Sequence, residues 1–291
     1  AIMELKELPK KLVIIGGGYI GLEYADMYNN FGSEVIVLEG SPLFIAREDR
    51  EIADEIKKVM ERKGIKFILG AKVAEILENE VKYEKDGKIE SVIGNAVLVA
   101  VGRKPNIKGL KLENAGVKVT ERGAVETDDN LHTSVDGIWA MGDVHGGLQF
   151  TYTSLDDSRI IYNELFGDKK YTLKDRGPVP YTVFIEPQFS RIGMTEEEAL
   201  QKGYKVKTSK ILAANPRMKI YGETDGLLKA VVDAETGKIL GASLFFRQSG
   251  EVINNIRLVM MAEKDYTFLR DGIFTHPTMS ETLNDLFDQI K

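Results

Sequence analysis

The chain has 291 residues, 43% of them hydrophobic and 29% charged, and its formal net charge is −6 at pH 7. This is the composition of a globular protein with room for two or three domains, and it excludes a disordered chain. The acidic balance gives no attraction to a phosphate backbone, so we predict no nucleic-acid binding. The longest apolar run, at 96–101, is too short to cross a bilayer and no signal peptide is visible. We therefore expect a cytoplasmic protein that does not bind membranes.

Cysteine is absent from the sequence. Internal disulfides, zinc–thiolate sites and a thiol nucleophile are therefore excluded within this chain. We also predict no metal site.

The first part of the sequence has the βαβαβ order of a Rossmann-like α/β domain. Short apolar runs alternate with amphipathic stretches, and glycines stand where the helices would end. The predicted elements are a strand at Lys11–Ile15, a helix at Ile20–Phe31, a strand at Glu34–Leu38, a helix at Arg50–Lys63 and a strand at Ile65–Leu69.

Short alternating strands follow and predict a β-meander, with Asp86-Gly87 as a two-residue hairpin signal. Later, the polar stretch Tyr171–Pro180 contains two prolines and predicts a linker. The predicted elements between these points are strands at Val73–Leu77, Val81–Lys85 and Lys88–Val92, a buried strand at Ala96–Val101 and a helix at Thr153–Phe166.

The last part mixes strands and helices in the manner of an α+β domain on an antiparallel sheet. Asp233–Gly237 predicts a hairpin between two of its strands. The predicted strands are Tyr181–Ile185, Lys207–Leu212, Leu227–Asp233 and Ile239–Phe246, and the predicted helices are Thr195–Lys202, Ser249–Glu263 and Met279–Ile290.

The segment Gly16–Gly21 fits the pattern G-x-G-x-x-G between a strand and a helix. Glycines there permit a tight turn and the close approach of a pyrophosphate to a helix N-terminus. Glu39 closes the second strand, where a carboxylate accepts hydrogen bonds from ribose hydroxyls and repels a 2′-phosphate. We predict dinucleotide binding with NAD(H) preferred over NADP(H), although Arg47 nearby leaves NADP(H) open. The alternative is a glycine-rich turn with a packing role only.

Four stretches, in this order along the chain, resemble the class I flavoprotein pyridine-nucleotide disulfide oxidoreductases. This family includes dihydrolipoamide dehydrogenase, glutathione reductase and mercuric reductase, and the resemblance covers essentially the whole chain. The amino-acid sequences of the later motifs are most similar to those of the bacterial reactive-chlorine-resistance, metal-reducing branch. The stretches are YIGLE at 19–23, VGRKPN at 101–106, TSVDGIWAMGD at 133–143 and HPTMSE at 276–281.

The resemblance implies a domain order with one part missing. The family's N-terminal FAD half, with its own glycine fingerprint and redox pair of cysteines, has no counterpart here. We therefore expect a fragment of a longer protein, with a natural stand-alone relative as the alternative. The implied domains are a remnant of the FAD domain at 1–8, an NAD(H)-binding domain at 9–123, the C-terminal lobe of the FAD domain at 124–172 and a dimerisation domain at 176–291.

The resemblance also implies contacts with FAD in the full-length protein. Asp143 would form hydrogen bonds with the ribitol, Gly142 would be a further cofactor contact, and a helix starting near Thr151 would point its N-terminus at the flavin. The alternative for Asp143 is a turn-capping role. Gly102 would approach the cofactor through its backbone. The family's usual proline in Leu-Thr-Pro is replaced here by Tyr152.

Within the first helix, Tyr19 resembles the family's ring that covers the flavin until nicotinamide displaces it. Glu23 resembles a carboxylate that pairs with a flavin-site lysine of the missing half. A core aromatic and a solvated carboxylate are the respective alternatives. Gly16, Gly18, Ile20 and Gly21 complete the expected cofactor contacts.

His276 is the expected catalytic acid–base of thiol–thiolate exchange, reaching the active site of a second subunit. Imidazole suits this task because it titrates near neutral pH. Glu281 would hold the far ring nitrogen and fix the tautomer. The alternative is that Thr278 and Glu281 form a capping box that fully explains the glutamate.

Together these features predict part of an NAD(P)H- and FAD-dependent enzyme that passes hydride from NADH through FAD to a disulfide, a metal ion or an oxidant. We expect a homodimer with a small-molecule or metal-ion acceptor, and no redox activity from this chain alone. The alternative is a stand-alone NAD(H)-binding, dimer-forming module without catalysis.

Overall fold

A computed structural model describes residues 2–291, so Ala1 of the predicted 1–8 remnant lies outside the described residues. The chain divides into two compact units. The first combines the chain up to Val101 with Pro178–Lys291, and the second is Gly102–Gly177. Over residues 2–291, no helix is both long enough and apolar enough to span a bilayer.

The N-terminal part of the first unit has the predicted βαβαβ order followed by a meander. Each predicted strand and helix is present, with ends shifted by at most two residues. The elements are β1 (Lys11–Ile15), α1 (Tyr19–Asn30), β2 (Glu34–Glu39), α2 (Arg50–Arg62), β3 (Lys66–Leu69), β4 (Lys72–Ile76), β5 (Glu80–Lys85), β6 (Lys88–Ile93) and β7 (Ala96–Val99).

A four-stranded parallel sheet in the order β3-β2-β1-β7 forms the centre of this part. Strands β1 and β2 are apolar on both faces because both faces are covered. Helices α1 and α2 pack on one face through residues such as Leu22 and Ile56. The antiparallel sheet β4-β5-β6 covers the other face through Val81 and Tyr83. The carboxyl ends of β1 and β2 are thereby held beside the glycine turn.

Two expectations in this part have different outcomes. Asp86 and Gly87 both adopt positive φ, 51° and 74°, which is the type I′ geometry predicted for the hairpin. The expectation of a buried strand over 96–101 is wrong in its extent and burial. Strand β7 ends at Val99, and Val99 and Val101 are 55% and 70% exposed, because β7 lies at the edge of its sheet.

The second unit contains little regular structure. Its main helix begins at Thr151, two residues before the predicted start, and a short 3-10 turn at Gly142–His145 precedes it. Isolated bridges join Val119 to Val125 and His132 to Trp139. The helices of this unit are α3 (Leu112–Ala115) and α4 (Thr151–Phe166), and a 3-10 turn lies at Leu173–Arg176 within the predicted linker.

The C-terminal part of the first unit is the predicted α+β fold on a five-stranded antiparallel sheet, ordered β10-β11-β12-β9-β8. Helices α7 and α9 pack against it through Ile256 and Leu286. The elements are β8 (Tyr181–Val183), β9 (Phe189–Gly193), α5 (Glu196–Gln201), β10 (Val206–Leu212), α6 (Pro216–Tyr221), β11 (Leu227–Asp233), β12 (Ile239–Phe245), α7 (Ser249–Met261), α8 (Thr267–Arg270) and α9 (Thr282–Asp288).

The sequence expectations omitted β9, α6 and α8 in this part and α3 in the second unit. Strand β9 carries two polar residues that are buried in the fold, which hides its strand character in the sequence. The Ser190 hydroxyl lies 2.8 Å from that of Ser249, and an Arg191 guanidinium nitrogen lies 2.9 Å from the Arg47 carbonyl oxygen. These partners come from distant parts of the chain, so no local sequence pattern predicts the contacts.

Candidate functional site

The glycines of the turn between β1 and α1 have different structural roles. Gly16 has φ +104°, and a Cβ there would lie 2.5 Å from the Ala100 carbonyl oxygen. At Gly21 a Cβ would lie 2.0 Å from the Gly16 carbonyl oxygen. A Cβ at Gly18 would meet nothing within 4 Å. Packing therefore explains Gly16 and Gly21, whereas Gly18 borders open space that a phosphate group could use.

Glu39 lies beside this turn at the carboxyl end of β2. Its Oε2 accepts a hydrogen bond of 2.6 Å from the Gly17 N–H, and its Oε1 accepts one of 2.7 Å from the Ser41 N–H. These two bonds fix the carboxylate at the turn. Since a carboxylate offers about four lone-pair sites, it retains acceptor capacity for ribose hydroxyls.

Tyr19 is the first residue of α1 and has partners that sequence reasoning did not identify. Its hydroxyl donates a hydrogen bond to Glu48 Oε1 and lies 3.3 Å from the Tyr181 hydroxyl. The rings of Tyr19 and Tyr181 stack with centroids 5.5 Å apart. Burial raises the pKa of the Tyr19 phenol, and the Glu48 charge raises it further, so the group remains a donor.

Glu48 and Arg191 form the buried charged part of this cluster. Glu48 is 3% exposed and Arg191 is 7% exposed. Glu48 Oε1 also accepts a 2.7 Å bond from the Tyr181 hydroxyl, and Oε2 lies 3.4 Å from Arg191 Nη1. The Nη2 atom of Arg191 pairs with Glu198. Burial of these charges is tolerated because each is paired and hydrogen-bonded.

Glu23, the predicted partner of a flavin-site lysine, lies on α1 and is partly buried. Its Oε1 accepts a 2.8 Å hydrogen bond from the Phe184 N–H. This contact differs from the solvated carboxylate considered as the alternative. The role toward flavin stays a prediction.

In the second unit, the turn at Gly142–His145 is anchored by a carboxylate absent from the predicted site. Asp157 on α4 is 1% exposed, and its Oδ2 accepts a 2.7 Å bond from the Gly142 N–H and lies 3.2 Å from His145 Nε2. Its Oδ1 pairs with Arg176. Burial would raise the pKa of Asp157, but the bonds to His145 and Arg176 outweigh it and hold the pKa below its usual value.

Asp143, the predicted FAD contact, projects from this anchored turn and is exposed. Its Oδ2 lies 3.2 Å from Arg103 Nη1, and Arg103 also donates a 2.7 Å bond to the Gln149 carbonyl oxygen. Gly142 has φ +74°, and a Cβ there would lie 2.2 Å from Ser154 Oγ. Gly102 is exposed with φ +124°. An accessible carboxylate on a glycine-dependent turn can accept bonds from hydroxyl groups.

Thr151 is the first residue of α4 and is exposed. The Thr153 hydroxyl accepts a 3.3 Å bond from the Phe150 N–H and donates a 2.7 Å bond to the Leu148 carbonyl oxygen. The helix starts at Thr151, near the position that the resemblance implied, without the proline that is usual in the resembled family.

His276 and Glu281 meet as predicted. His276 Nδ1 lies 2.7 Å from Glu281 Oε1, and the imidazole side chain is 67% exposed. Glu281 Oε2 also accepts a 2.7 Å bond from the Thr278 N–H. That backbone bond and the bond to His276 hold the pKa of Glu281 below its usual value.

The capping-box alternative for Glu281 is only half correct. The Thr278 hydroxyl donates to the Thr275 carbonyl oxygen at 2.7 Å, and α9 starts at Thr282 with Glu281 in the preceding position. By contrast, Thr195 and Glu198 form both bonds of a capping box at α5. Capping therefore does not account for the bond from Glu281 to His276.

The chain belongs to the pyridine nucleotide-disulphide oxidoreductase family, because the sequence model of that family matches residues 1–158. Residues 179–287 match the dimerisation domain of the same family. The predicted family and fold class are confirmed, and the chain falls in the branch that contains RclA. Among residues 2–291, no group of three or more His, Cys, Asp or Glu side chains could hold a metal ion.

Similar proteins include the probable pyridine nucleotide-disulfide oxidoreductase RclA of Escherichia coli K12, which is 50% identical over the whole chain. Mercuric reductase of Staphylococcus aureus is 36% identical over 97% of the chain. The chain spans 66% and 52% of the lengths of these two relatives. A solved structure titled HOCl-induced flavoprotein disulfide reductase RclA from Escherichia coli matches with a TM-score of 0.95 at 49% identity, covering 100% of this chain and 67% of that one.

Proposed function

We propose that this chain is the NAD(H)-binding, FAD-contacting and dimer-forming part of an oxidoreductase that reduces a disulfide, a metal ion or an oxidant with NADH. The observation that carries the proposal is the turn at Gly18, open in front and flanked by the Glu39 carboxylate. When bound, nicotinamide and flavin supply hydride transfer, and the protein supplies binding and orientation. The four domains implied by the sequence remain part of the proposal.

Discrimination between the two nicotinamide nucleotides would come from Glu39. Its carboxylate is held at the turn by two backbone N–H groups. An anion fixed there accepts bonds from the adenosine ribose hydroxyls and repels a 2′-phosphate. Arg47 is the nearest positively charged candidate in sequence, and its side chain is exposed, so the NADH preference rests on Glu39. We therefore expect NADH to bind more tightly than NADPH.

The second unit would bind part of FAD. Asp143 would accept hydrogen bonds from flavin-chain hydroxyls, and Asp157 would keep the turn of Asp143 in place through the Gly142 N–H. The α4 N-terminus at Thr151 would place partial positive charge near the flavin. Gly102 would allow close approach of backbone to cofactor.

His276 would be the acid–base group for the acceptor, working in a homodimer. Its imidazole is exposed, and one ring nitrogen is engaged by Glu281 at 2.7 Å. That bond fixes which nitrogen remains available for proton transfer. The small-molecule or metal-ion acceptor would meet the other nitrogen.

One observation favours a second function for the chain by itself. The sequence has no cysteine, so it carries no dithiol to pass electrons onward. The 291 residues would then bind NAD(H) and dimerise without turnover. We expect the purified chain to show no NADH:disulfide reductase activity, and turnover of lipoamide or glutathione disulfide would contradict this.

Nucleotide binding is tested by titrating the protein with NADH and NADPH and comparing Gly18→Val with wild type. A Cβ at position 18 would meet no protein atom within 4 Å, so the substitution directs a side chain into the open space in front of the turn. We expect NADH affinity to fall more than tenfold while thermal stability is unchanged. In the matched control, Gly21→Ala loses stability because its Cβ meets the Gly16 carbonyl oxygen at 2.0 Å. Equal NADH affinity in wild type and Gly18→Val would contradict the proposed site.

A further inference from the structure

We propose that Asn215 is a positioning residue for the pair of His276 and Glu281, and that its side-chain amide keeps the Glu281 carboxylate on His276 Nδ1. The inference rests on the acid–base role proposed above for His276. It concerns the segment 278–282, which leads from the histidine into α9, and the amide that contacts this segment at both of its ends.

Asn215 is the N-cap of α6, and both its amide protons and its amide oxygen have partners. The oxygen accepts a 2.9 Å bond from the Met218 N–H, which is the capping contact. The nitrogen donates a 3.1 Å bond to the Thr278 carbonyl oxygen and a 2.5 Å bond to the Thr282 hydroxyl. Capping uses only the oxygen, so the two bonds from the nitrogen have a separate effect.

The two partners of the amide nitrogen lie on either side of Glu281 along the chain. Thr278 accepts from Asn215 through its carbonyl oxygen and donates a 2.7 Å bond from its N–H to Glu281 Oε2. Glu281 Oε1 lies 2.7 Å from His276 Nδ1. Hydrogen bonds therefore connect the Asn215 amide to the His276 imidazole through Thr278 and Glu281.

The anchor of this connection is buried, whereas the imidazole is exposed. Asn215 is 6% exposed and Thr282 is 1% exposed, and Met279 between the two partners packs in the core. The imidazole side chain is 67% exposed. Loss of a donor to a buried polar group is costly, so the amide resists any displacement of the segment. An exposed ring is thereby positioned from the protein interior.

The position of the Glu281 carboxylate determines which imidazole nitrogen carries the proton. The Thr278 N–H and His276 hold the pKa of Glu281 below its usual value, so the group is ionised at neutral pH. An ionised carboxylate can only accept hydrogen bonds. Nδ1 must therefore be the donor in the neutral ring, which leaves Nε2 free to take up a proton. A carboxylate displaced from Nδ1 would lose this selection.

A second amide beside the segment supplies a comparison. Asn255 on α7 is partly buried, and its Nδ2 lies 3.2 Å from Ser280 Oγ. This contact is to a side chain, whereas Asn215 bonds to the backbone of the residue that also binds Glu281. We therefore expect Asn215, and not Asn255, to fix the position of the carboxylate.

The test is NMR spectroscopy of the full-length protein with isotope-labelled histidine nitrogens, at about pH 9, where an ordinary imidazole is neutral. His276→Gln assigns the His276 signals by their disappearance. In wild type we expect the proton on Nδ1. Asn215→Asp keeps the cap but places a carboxylate oxygen opposite the Thr278 carbonyl oxygen. We expect the ratio of the Nδ1–H form to the Nε2–H form to fall about tenfold, the worth of one hydrogen bond to a charged acceptor.

Two further variants separate positioning from folding. Asn215→Ser retains an N-cap oxygen and loses both amide protons without adding a charge, so it should show the same change. If Asn215→Asp fails to fold, Asn215→Ser carries the test alone. Asn255→Asp, the matched control, should keep the wild-type ratio because the backbone bond to Thr278 is intact.

The outcomes separate the inference from the proposed function. A wild-type ratio in the Asn215 variants, or an equal change in Asn255→Asp, overturns the positioning role of Asn215 and leaves the proposed role of His276 in place. A wild-type protein with the His276 proton on Nε2 overturns the selection by Glu281 that the proposed acid–base role uses, and the positioning role with it. A change confined to the Asn215 variants supports both.

Discussion

Two carboxylates in this molecule each hold an aromatic ring that can donate a proton, and they do so in opposite surroundings. Glu48 holds the Tyr19 phenol in the interior, beside Arg191 and a second phenol. Glu281 holds the His276 imidazole at the surface, where the ring is 67% exposed. Sequence reasoning identified both rings, Tyr19 and His276, as site residues. Of the two carboxylates it identified only Glu281.

The difference shows what burial adds to the same contact. In the interior, removing a partner strands a charge or a donor, so the ring is held in place. At the surface, water replaces any lost partner, so the ring stays free to exchange protons. The buried pair is therefore suited to fixing a position and the exposed pair to acid–base chemistry.

The largest expected effect comes from removing the buried carboxylate. Glu48→Ala removes one of the two carboxylates that pair with Arg191 and removes the carboxylate that accepts from two phenols. We expect the free energy of unfolding to fall by about 3–5 kcal/mol, measured by urea denaturation. Glu281→Ala is the matched variant at the surface pair, whose imidazole ring is exposed, and it should lose much less. Similar losses in the two variants would show that burial does not raise the cost of removing the carboxylate.

Asp157 separates the effect of burial from the effect of ring type, because it holds an imidazole in the interior. We expect Asp157→Asn to lower the free energy of unfolding by about 2–4 kcal/mol, as Glu48 variants do. The pKa of Asp157 is lowered in the folded state, so its contribution is complete above the unfolded pKa near 4 and disappears as pH falls through the folded pKa. Urea denaturation of both proteins at pH 7 and pH 3 measures this. A loss as small as that of Glu281→Ala would show that ring type decides.

Removing one donor from the buried pair should cost less than removing its acceptor. Tyr181→Phe keeps the stacked ring and loses the bond to Glu48, so we expect a loss of about 1.5–3 kcal/mol. Differential scanning calorimetry of this variant and of Tyr83→Phe provides the measurement. A larger loss from Tyr83→Phe would mean that losing a phenol bond to Glu48 is no more destabilising than losing the phenol bond from Tyr83 to Glu90.

The smallest expected effect is a pH-dependent one at the exposed pair. The Thr278 N–H and His276 lower the pKa of Glu281 in the folded protein. Its contribution to stability is therefore present above its unfolded pKa and is lost as pH falls through the folded pKa. The difference in melting temperature between wild type and Glu281→Gln should shrink from pH 6 to pH 3. A difference that grows on acidification would contradict the assigned contacts.

Local patterns predicted most of the fold. The apolar runs of β1 and β2, the glycine after α2 and the Asp86-Gly87 turn each act within a few residues. Strand β9 was not predicted, because its buried polar residues form hydrogen bonds with Ser249 and Arg47, which are distant in sequence. Such partners exist only after folding.

The same limit applies to the candidate site. The glycine turn, Glu39 and the pair of His276 with Glu281 follow from short spacings and a family resemblance. Glu48, Tyr181 and Asp157 did not, because nothing in a single sequence tells which distant carboxylate or phenol will meet a given ring. Their roles were visible only from the hydrogen bonds.

The pairing of β1 with β7 has a consequence for the chain as it is made. Leu12 on β1 pairs with Ala96 on β7, so one edge of β1 stays unpaired until the ribosome has released the chain through β7. An apolar strand with an unpaired edge is a template for association with other chains. Expression of shorter versions ending within the meander should therefore yield aggregates, and nascent chains should gain protease resistance only once β7 has emerged.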